Sequence, residues 1–284
     1  MTAMRNISHV TTAVSEPIAD LQTFRAFPTQ EVPNVNPFLF LNHHGFQVYP
    51  PNNNGLPFGP HPHKGFETLT FVFDGEVAHT DSTGETFVTG PGGVQWMTAG
   101  SGIVHAEVSP DGFRQTGGPL EIIQIWMNLP AALKRSKPWY QGLEADGLAT
   151  EEAEGWQWVV VSGETPGGTK GPVDSMTGLF MSRLDLSDGA RFETSVPAGR
   201  ALMLYVVRGA VRANGVDLRR HDLPHFGLAE ERLVIEADAD SLLLLCHGEP
   251  IDEPIVAHGP FVMNTAAEIH EAIEEYQSGA FGRL

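Results

Sequence analysis

Apolar and polar residues alternate with a period of two along much of this chain, a pattern that predicts strands. In ETLTFVFDG, residues Leu69, Phe71 and Phe73 would share one face of a strand, while the threonines between them face the other way. Further short apolar runs lie at residues 37–46 and 120–130, and Gly- and Pro-rich turns separate the runs. We therefore predict an all-β protein with many tight turns.

A stretch of mixed charge, residues 131–156, divides these runs into two similar halves. It is basic first and acidic afterwards, and strand-like segments resume with WQWVVVSGE and continue to SLLLLCHGE. Both halves show short apolar strands, glycine turns and a hairpin near the middle. We predict two stacked antiparallel β-barrels, one at residues 1–135 and the other at residues 136–284.

One segment near the carboxyl end has the period of a helix. In NTAAEIHEAIEEYQSG, Thr265 precedes Glu268 by three residues, the spacing of a capping box. The apolar residues that follow recur on one helical face: Ile269, Ala272, Ile273 and Tyr276. This pattern predicts a helix over residues 265–278 that packs on a barrel.

The charge balance limits the partners of this protein. Seventeen basic residues against 35 acidic ones give a net charge of −18, which would repel nucleic acid and acidic membranes. No segment has the length of a membrane span, and the amino-terminal residues lack the apolar core of a signal peptide. We expect a cytoplasmic monomer that does not bind nucleic acid directly.

The single cysteine, Cys246, allows no intramolecular disulfide. It follows an apolar run of four leucines, residues 242–245, so we expect a buried core residue and not a reactive thiol.

Two pairs of chemically active residues each have the spacing of neighbours on one strand face. His61 and His63 form the first pair, in HPHKGFETL, and His105 and Glu107 form the second, in GIVHAEV. Several short antiparallel strands fit between the pairs, so both could face one barrel interior. Three imidazoles and a carboxylate would then converge on a metal ion, although a polar cluster without metal is an alternative.

The same residues resemble the motifs of the cupin superfamily. Gly55, His61, His63, Glu67 and Gly75 have nearly the spacing of the first cupin motif, and residues 91–105 resemble the second with an insertion. In many cupins the carboxylate ligand comes from the first motif. On spacing alone, Glu67 and Glu107 both remain candidates for that role.

Longer phrases are similar to the pirin family of cupins. PHPHKGFETLTFV, QWMTAGSGIVHAE, IQIWMNLPA and GPFVMNTAAEIHEAIEEYQSGAFG carry this resemblance over nearly the whole chain. It implies a bicupin of the jelly-roll type, with metal in the first barrel and none in the second. It also implies that Glu67 is structural or supports the ligands, and that the metal ligands are His61, His63, His105 and Glu107.

The ligand types favour a borderline divalent ion. Imidazole nitrogens suit Fe, Ni, Cu and Zn, and one carboxylate favours a hard or borderline ion. Four ligands on an ion that prefers six leave positions for a chelating substrate and O₂. We expect one divalent metal, Fe first, with Mn, Ni, Cu, Co or Zn as alternatives.

Other residues around the pairs support narrower expectations. His79 could bond Asp81 and support a ligand. His43 and His44 are interpreted as surface residues in a turn. Gly45, Gly59, Gly100 and Gly102 could leave room for a flat aromatic substrate.

Two functions of different classes are consistent with these residues. Several bacterial pirins resemble quercetin 2,3-dioxygenases, which implies oxidative cleavage of flavonols with Glu107 as ligand and general base. Other pirins act through protein partners, which implies a redox-sensing regulator without turnover of a small molecule. The first predicts a small aromatic chelating substrate, and the second predicts a protein partner.

Overall fold

The computed structural model describes residues 3–229 and 231–284. Its strands are β1 (Ile7–Thr12), β2 (Val14–Ser15), β3 (Thr23–Phe27), β4 (Phe38–Tyr49), β5 (Phe58–His63), β6 (Phe66–Asp74), β7 (Val77–Asp81), β8 (Thr86–Thr89), β9 (Val94–Thr98), β10 (Ile103–Val108), β11 (Gly118–Asn128), β12 (Trp139–Leu143), β13 (Ala149–Ala153), β14 (Trp156–Ser162), β15 (Met181–Leu186), β16 (Arg191–Ser195), β17 (Ala201–Arg208), β18 (Ala210–Ala213), β19 (Val216–Arg219), β20 (Asp222–Phe226), β21 (Arg232–Ala237), β22 (Ser241–Gly248), β23 (Val256–His258) and β24 (Phe261–Met263). The helices are α1 (Asp111–Thr116) and α2 (Ala266–Gln277), with a 3₁₀ turn at Ala145–Gly147. The predicted all-β class with a carboxyl-terminal helix is confirmed.

The chain folds into two compact units, and each unit combines separated parts of the sequence. The first unit contains residues 15–24, 38–146 and 251–284, and the second contains residues 3–14, 25–37 and 147–250. The sequence interpretation instead drew one boundary after residue 135 and assigned the helix to the second half. The division into units depends on which strands pair, and many of these strands are distant from one another in sequence. The order of residues along the chain does not reveal this pairing.

Two antiparallel sheets make up most of the first unit. The larger has the order β12-β9-β6-β11-β4 and continues into β3 and β2, and the smaller has the order β5-β10-β7-β8. An apolar cluster contains Val72 and Ile122 from the larger sheet, Val77 from the smaller one, Phe113 from α1 and Leu56 from a connection. Both faces of β6 are buried from Phe66 to Val72, so the alternation read from the sequence separates two buried faces, and Val72 on the threonine face joins this cluster.

Strand β4 continues past the point where a turn was predicted. His43 and His44 lie within this strand and are almost completely buried, so their interpretation as surface histidines in a turn was wrong. The Nε2 atom of His43 is 2.9 Å from Oε1 of Glu121, and Nδ1 of His44 is 2.8 Å from the hydroxyl of Thr23. Polar partners inside the sheet allow both imidazoles to be buried.

Helix α2 belongs to the first unit and begins at the predicted cap. The side chain of Thr265 accepts a hydrogen bond from the backbone N–H of Glu268. Ile269 and Ala272 are buried in an apolar cluster with Phe261 of β24, whereas Tyr276 is 41% exposed. The predicted apolar face is therefore buried along the first turns of the helix but not at Tyr276.

The second unit repeats the two-sheet arrangement. Its sheets have the orders β13-β14-β15-β22-β17 and β16-β21-β18-β19, with β1 paired to β20. Cys246 lies on β22 and is fully buried, as predicted, and burial raises the pKa of its thiol to about 12. None of the helices in residues 3–229 and 231–284 is long and apolar enough to cross a membrane.

Candidate metal centre

Strands β5 and β10 bring the two predicted pairs of residues together. They run antiparallel, with His61 opposite His105 and His63 opposite Ile103. On its other edge β10 pairs with β7, where Asp81 lies opposite His105 and His79 lies opposite Glu107. Pairing residues 61 and 105 across one ladder aims their side chains to the same side of the sheet.

The three histidine side chains converge through their Nε2 atoms. Nε2 of His61 lies 3.1 Å from Nε2 of His63 and 3.0 Å from Nε2 of His105. One ligand atom from each of the three lies within 4.8 Å of the others. Two nitrogens bound to one ion at right angles, each about 2.1 Å away, would be about 3 Å apart. The spacing therefore fits a common metal ion.

Contacts on the far side of the rings indicate which nitrogens are free to bind metal. Nδ1 of His61 is 2.8 Å from the carbonyl oxygen of Gly59, and Nδ1 of His63 is 3.4 Å from that of Pro260. A carbonyl oxygen only accepts, so each Nδ1 carries the proton and each Nε2 keeps a lone pair. Lone pairs that face one another at this distance repel unless a proton or a metal ion lies between them, so the arrangement suits a cation.

Burial keeps the deeper imidazoles neutral, which is the form that binds metal. Burial, reinforced by the neighbouring His61, lowers the pKa of His63 to about 3. Burial and the neighbouring histidines also lower the pKa of His105 well below its ordinary value. Nδ1 of His105 is buried and has no hydrogen-bond partner among the described residues, so this ring is held by packing.

Glu107 is buried on the same strand, but its carboxylate does not belong to the group of three converging ligands. Its Oε1 accepts a hydrogen bond from the hydroxyl of Thr70 at 2.9 Å, and its Oε2 accepts one from Nε2 of Gln124 at 2.5 Å. Both donors lie on the larger sheet, across the interior from β10. These contacts hold the carboxylate inside the unit and leave lone pairs unused on both oxygens.

Glu67, the competing carboxylate, points away from this cluster. Its Oε1 accepts hydrogen bonds from the indole N–H of Trp96 at 3.1 Å and from the hydroxyl of Thr98 at 2.6 Å. Glu67 and Thr70 are three residues apart on β6, so their side chains leave opposite faces of that strand. Burial raises the pKa of Glu67. These contacts match the interpretation of Glu67 as a structural residue.

A buried pair supports the ligand cluster from β7. Nε2 of His79 is 2.8 Å from Oδ2 of Asp81, the bond suggested by the sequence. The ring of His79 stacks on Tyr140 at 3.8 Å and lies 5.4 Å from the ring of His105. Burial, together with the charge of Glu107, raises the pKa of Tyr140. The stack limits movement of the His105 side of the cluster.

The sequence analysis did not predict the aromatic side chains beside His63, which form an aromatic wall. The ring of Trp126 lies 5.2 Å from that of His63 and 4.5 Å from that of Phe66. Its indole N–H donates to Oε1 of Gln124 at 3.0 Å, and the same amide bonds Glu107. The signal was present, because Gln124 interrupts the apolar run LEIIQIWM with a polar residue that needs buried partners.

The glycines near the three histidines allow close packing of neighbouring residues more than they open space for a substrate. A methyl group at Gly100 would meet the carbonyl of Ser136, and one at Gly102 would meet the ring of Phe281. Their expected role in opening a substrate cavity was therefore wrong for these two positions. Gly59 differs from these two, since nothing lies within 4 Å of a methyl group there.

Models of known protein families match two stretches of the chain. The model named Pirin matches residues 20–127, and the model described as the pirin C-terminal cupin domain matches residues 181–282. The chain belongs to the pirin family.

Individual proteins and solved structures that are similar to this chain agree with its assignment to the pirin family. A protein of Pseudomonas aeruginosa, whose name provisionally assigns it as a quercetin 2,3-dioxygenase, is 40% identical over 255 residues, which are 88% of each chain. The crystal structure of a quercetin 2,3-dioxygenase from Acinetobacter baumannii has a TM-score of 0.92 at 32% identity and covers 99% of each chain. A bacterial pirin of Escherichia coli in complex with nickel(II) has a TM-score of 0.68 at 25% identity and covers 86% of this chain and 99% of its own.

Proposed function

We propose that this pirin is a metal-dependent cupin dioxygenase that cleaves flavonols such as quercetin with O₂, opening the ring and releasing CO. The observation that carries the proposal is the convergence of the Nε2 atoms of His61, His63 and His105 beside a buried carboxylate and an aromatic wall. The names of the Pseudomonas and Acinetobacter relatives point to the same reaction.

The three histidines would hold one divalent ion, and we propose Glu107 as the fourth ligand. We propose iron as that ion, with Mn, Ni, Cu, Co or Zn able to bind the same donors. When bound, the ion supplies Lewis acidity toward the 3-hydroxyl and 4-keto oxygens of a chelating flavonol, and redox chemistry toward O₂.

Glu107 would also accept the proton of the flavonol 3-hydroxyl. Thr70 and Gln124 donate one hydrogen bond to each carboxylate oxygen, which fixes the group without using its full accepting capacity. A carboxylate positioned as a general base typically accelerates an enzymatic reaction by about 10²–10⁴-fold. Trp126, which is half-buried and packs on Phe66, would contact the flat substrate and keep water out.

Oxygen uptake with quercetin tests the proposal. The purified protein is stripped of metal, loaded in turn with Fe(II), Mn(II), Ni(II) or Cu(II), and assayed beside two variants. Glu107→Gln removes the proposed base, and Glu67→Gln makes the same change at the carboxylate that points away. Metal content is measured for each protein.

We expect turnover with at least one metal, its loss in Glu107→Gln with metal still bound, and its retention in Glu67→Gln. Equal loss in both variants would refute the role of Glu107. Absence of turnover with every metal would refute the flavonol dioxygenase and favour the alternative, a redox-sensing regulator. That protein should change its affinity for a protein partner when the metal is oxidised.

A further inference from the structure

The second unit contains a cavity of its own, between its two sheets. Its volume is about 340 Å³, within the range of small-molecule pockets. Trp158 and His247 line it from the five-stranded sheet, and Thr194 lines it from the four-stranded sheet. The other walls are mainly apolar and include Phe180, Val196 and Leu245. A concave apolar space with few polar groups has the composition of a ligand site.

The orientation of His247 is determined by an arginine. Nε of Arg200 donates a hydrogen bond to Nδ1 of His247 at 2.8 Å. An arginine N–H only donates, so Nδ1 is the accepting nitrogen and the neutral ring carries its proton on Nε2. The ring is further fixed by stacking on Phe180 with centroids 4.7 Å apart. The cavity wall therefore includes an oriented N–H donor.

A second polar group in the wall, the hydroxyl of Thr194, lacks a partner within the described part of the chain. Thr194 is 9% exposed, and its buried hydroxyl forms no hydrogen bond with any described residue. A buried hydroxyl left unpaired costs free energy unless a ligand or water satisfies it. The other buried donors of the wall are satisfied, because the indole of Trp158 bonds Ser182 and the hydroxyl of Thr165 bonds Glu151.

Two arginines near this end of the cavity favour an anion, and the carboxylate 3.8 Å from Arg200, that of Glu249, is 80% exposed and offsets them only in part. Arg200 contacts His247 directly, and Arg5, which is almost fully buried, also raises the positive potential at this ring. Arg5 donates to the backbone carbonyls of Val196, Pro197 and Arg200, which holds it beside the cavity wall. Glu164 lines the cavity as well, but its side chain is solvent-exposed and therefore screened.

We propose that this cavity binds a small aromatic carboxylate. The carboxylate would accept hydrogen bonds from Nε2–H of His247 and from the hydroxyl of Thr194. The ring would pack against Trp158 and Phe180. The site lies wholly within the second unit and uses none of the proposed metal ligands, so it is separate from the proposed dioxygenase chemistry.

The test uses benzoate as the probe and the full-length, metal-loaded protein. Nuclear magnetic resonance follows the imidazole of His247 and the indole N–H of Trp158 during titration. Benzamide, which has nearly the same shape without the charge, is titrated in parallel. Thr194→Val removes only the unpaired hydroxyl and should fold normally, and His63→Ala reports any binding of benzoate at the metal centre.

We expect saturable binding of benzoate with a dissociation constant on the order of 1 mM, typical of a ligand this small. Affinity should fall at least about fivefold in Thr194→Val and for benzamide, since hydrogen bonds to a charged group are lost. His63→Ala should leave the affinity unchanged. The proposal is overturned by absent binding, by signals of His247 and Trp158 that do not shift, by unchanged affinity in Thr194→Val, or by loss of binding in His63→Ala.

Discussion

Lys64 and Glu275 form an ion pair that ties the residue after His63 to helix α2. The ammonium of Lys64 is almost fully buried, bonds the Glu275 carboxylate, and donates to the carbonyl of Ser101 at 2.8 Å. It also lies 5.3 Å from the centroid of the Phe281 ring. Because Nδ1 of His63 is bonded to the carbonyl of Pro260, the carboxyl-terminal segment contacts both this histidine and the residue that follows it.

Replacing Glu275 with Gln should destabilise the protein by about 1–3 kcal/mol, because a buried ammonium loses the charge that compensates it. This loss of stability is smaller than that expected for a fully buried pair, because the side chain of Glu275 is 29% exposed. The same change at Glu271, whose partner Arg135 is 46% exposed, should cost less than about 1 kcal/mol. Urea unfolding of the two variants measures the difference, and equal midpoints would contradict the role given to Glu275.

Replacing Gln124 with Leu should lower kcat for oxygen uptake about tenfold without loss of bound metal. The substitution removes the amide that donates to Glu107 and accepts from Trp126, and a hydrogen bond to a charged group contributes about 1.5–3 kcal/mol. Gln95→Leu is the matched control, since that buried amide bonds Val77 and Thr89 instead. A similar fall in kcat for both variants would show that general destabilisation is the cause.

Replacing His43 with Leu should destabilise the protein by about 3–5 kcal/mol, since the carboxylate of Glu121 would lose its imidazole partner in a fully buried position. Replacing both residues with Leu should recover part of that loss, because the carboxylate that had lost its imidazole partner is then removed as well. Chemical denaturation of the single and double variants completes the cycle. A double variant that is no more stable than His43→Leu would contradict this account.

Stability should fall as the pH is lowered from about 6 to 4, and His247 should contribute a measurable part. Burial, with the charges of Arg200 and Arg5, lowers its pKa to about 3. Across this window the unfolded chain takes up a proton that the folded ring refuses, so the free energy of unfolding decreases with falling pH.

For one such histidine the slope is about 1.4 kcal/mol per pH unit. Denaturation of the wild type and of His247→Gln at several pH values measures it, and the variant's slope should be smaller by about that amount. Identical slopes would mean that the folded ring binds the proton as easily as the unfolded one.

Local periodicity was enough to predict much of the candidate site. The i, i+2 spacing of His61 and His63 implies a common strand face wherever the strand lies, because side-chain direction alternates by backbone geometry. The same reasoning predicted the strand face on which His105 lies. The bond between His79 and Asp81 could be predicted because both residues lie on one strand, two positions apart. Helix α2 begins where Thr265 caps it, since capping involves residues only three apart.

Other features depend on which distant segments pair, and no local pattern reveals that. His43 and His44 have the sequence context of a turn, yet β4 runs on through them between β11 and β3. Glu67 and Glu107 were equal candidates by spacing, but contacts with Trp96 hold one away while Gln124 holds the other inside the unit.

The sequence by itself therefore determined the all-β class, the helix and its cap, and the parity of the histidine pairs, because each depends on backbone geometry over a few residues. Only the tertiary structure decided that residues 251–284 pack with residues 38–146, that Lys64 reaches Glu275, and that Arg200 orients His247 beside a cavity. These contacts join residues 47 or more positions apart, and their formation depends on the packing of whole sheets.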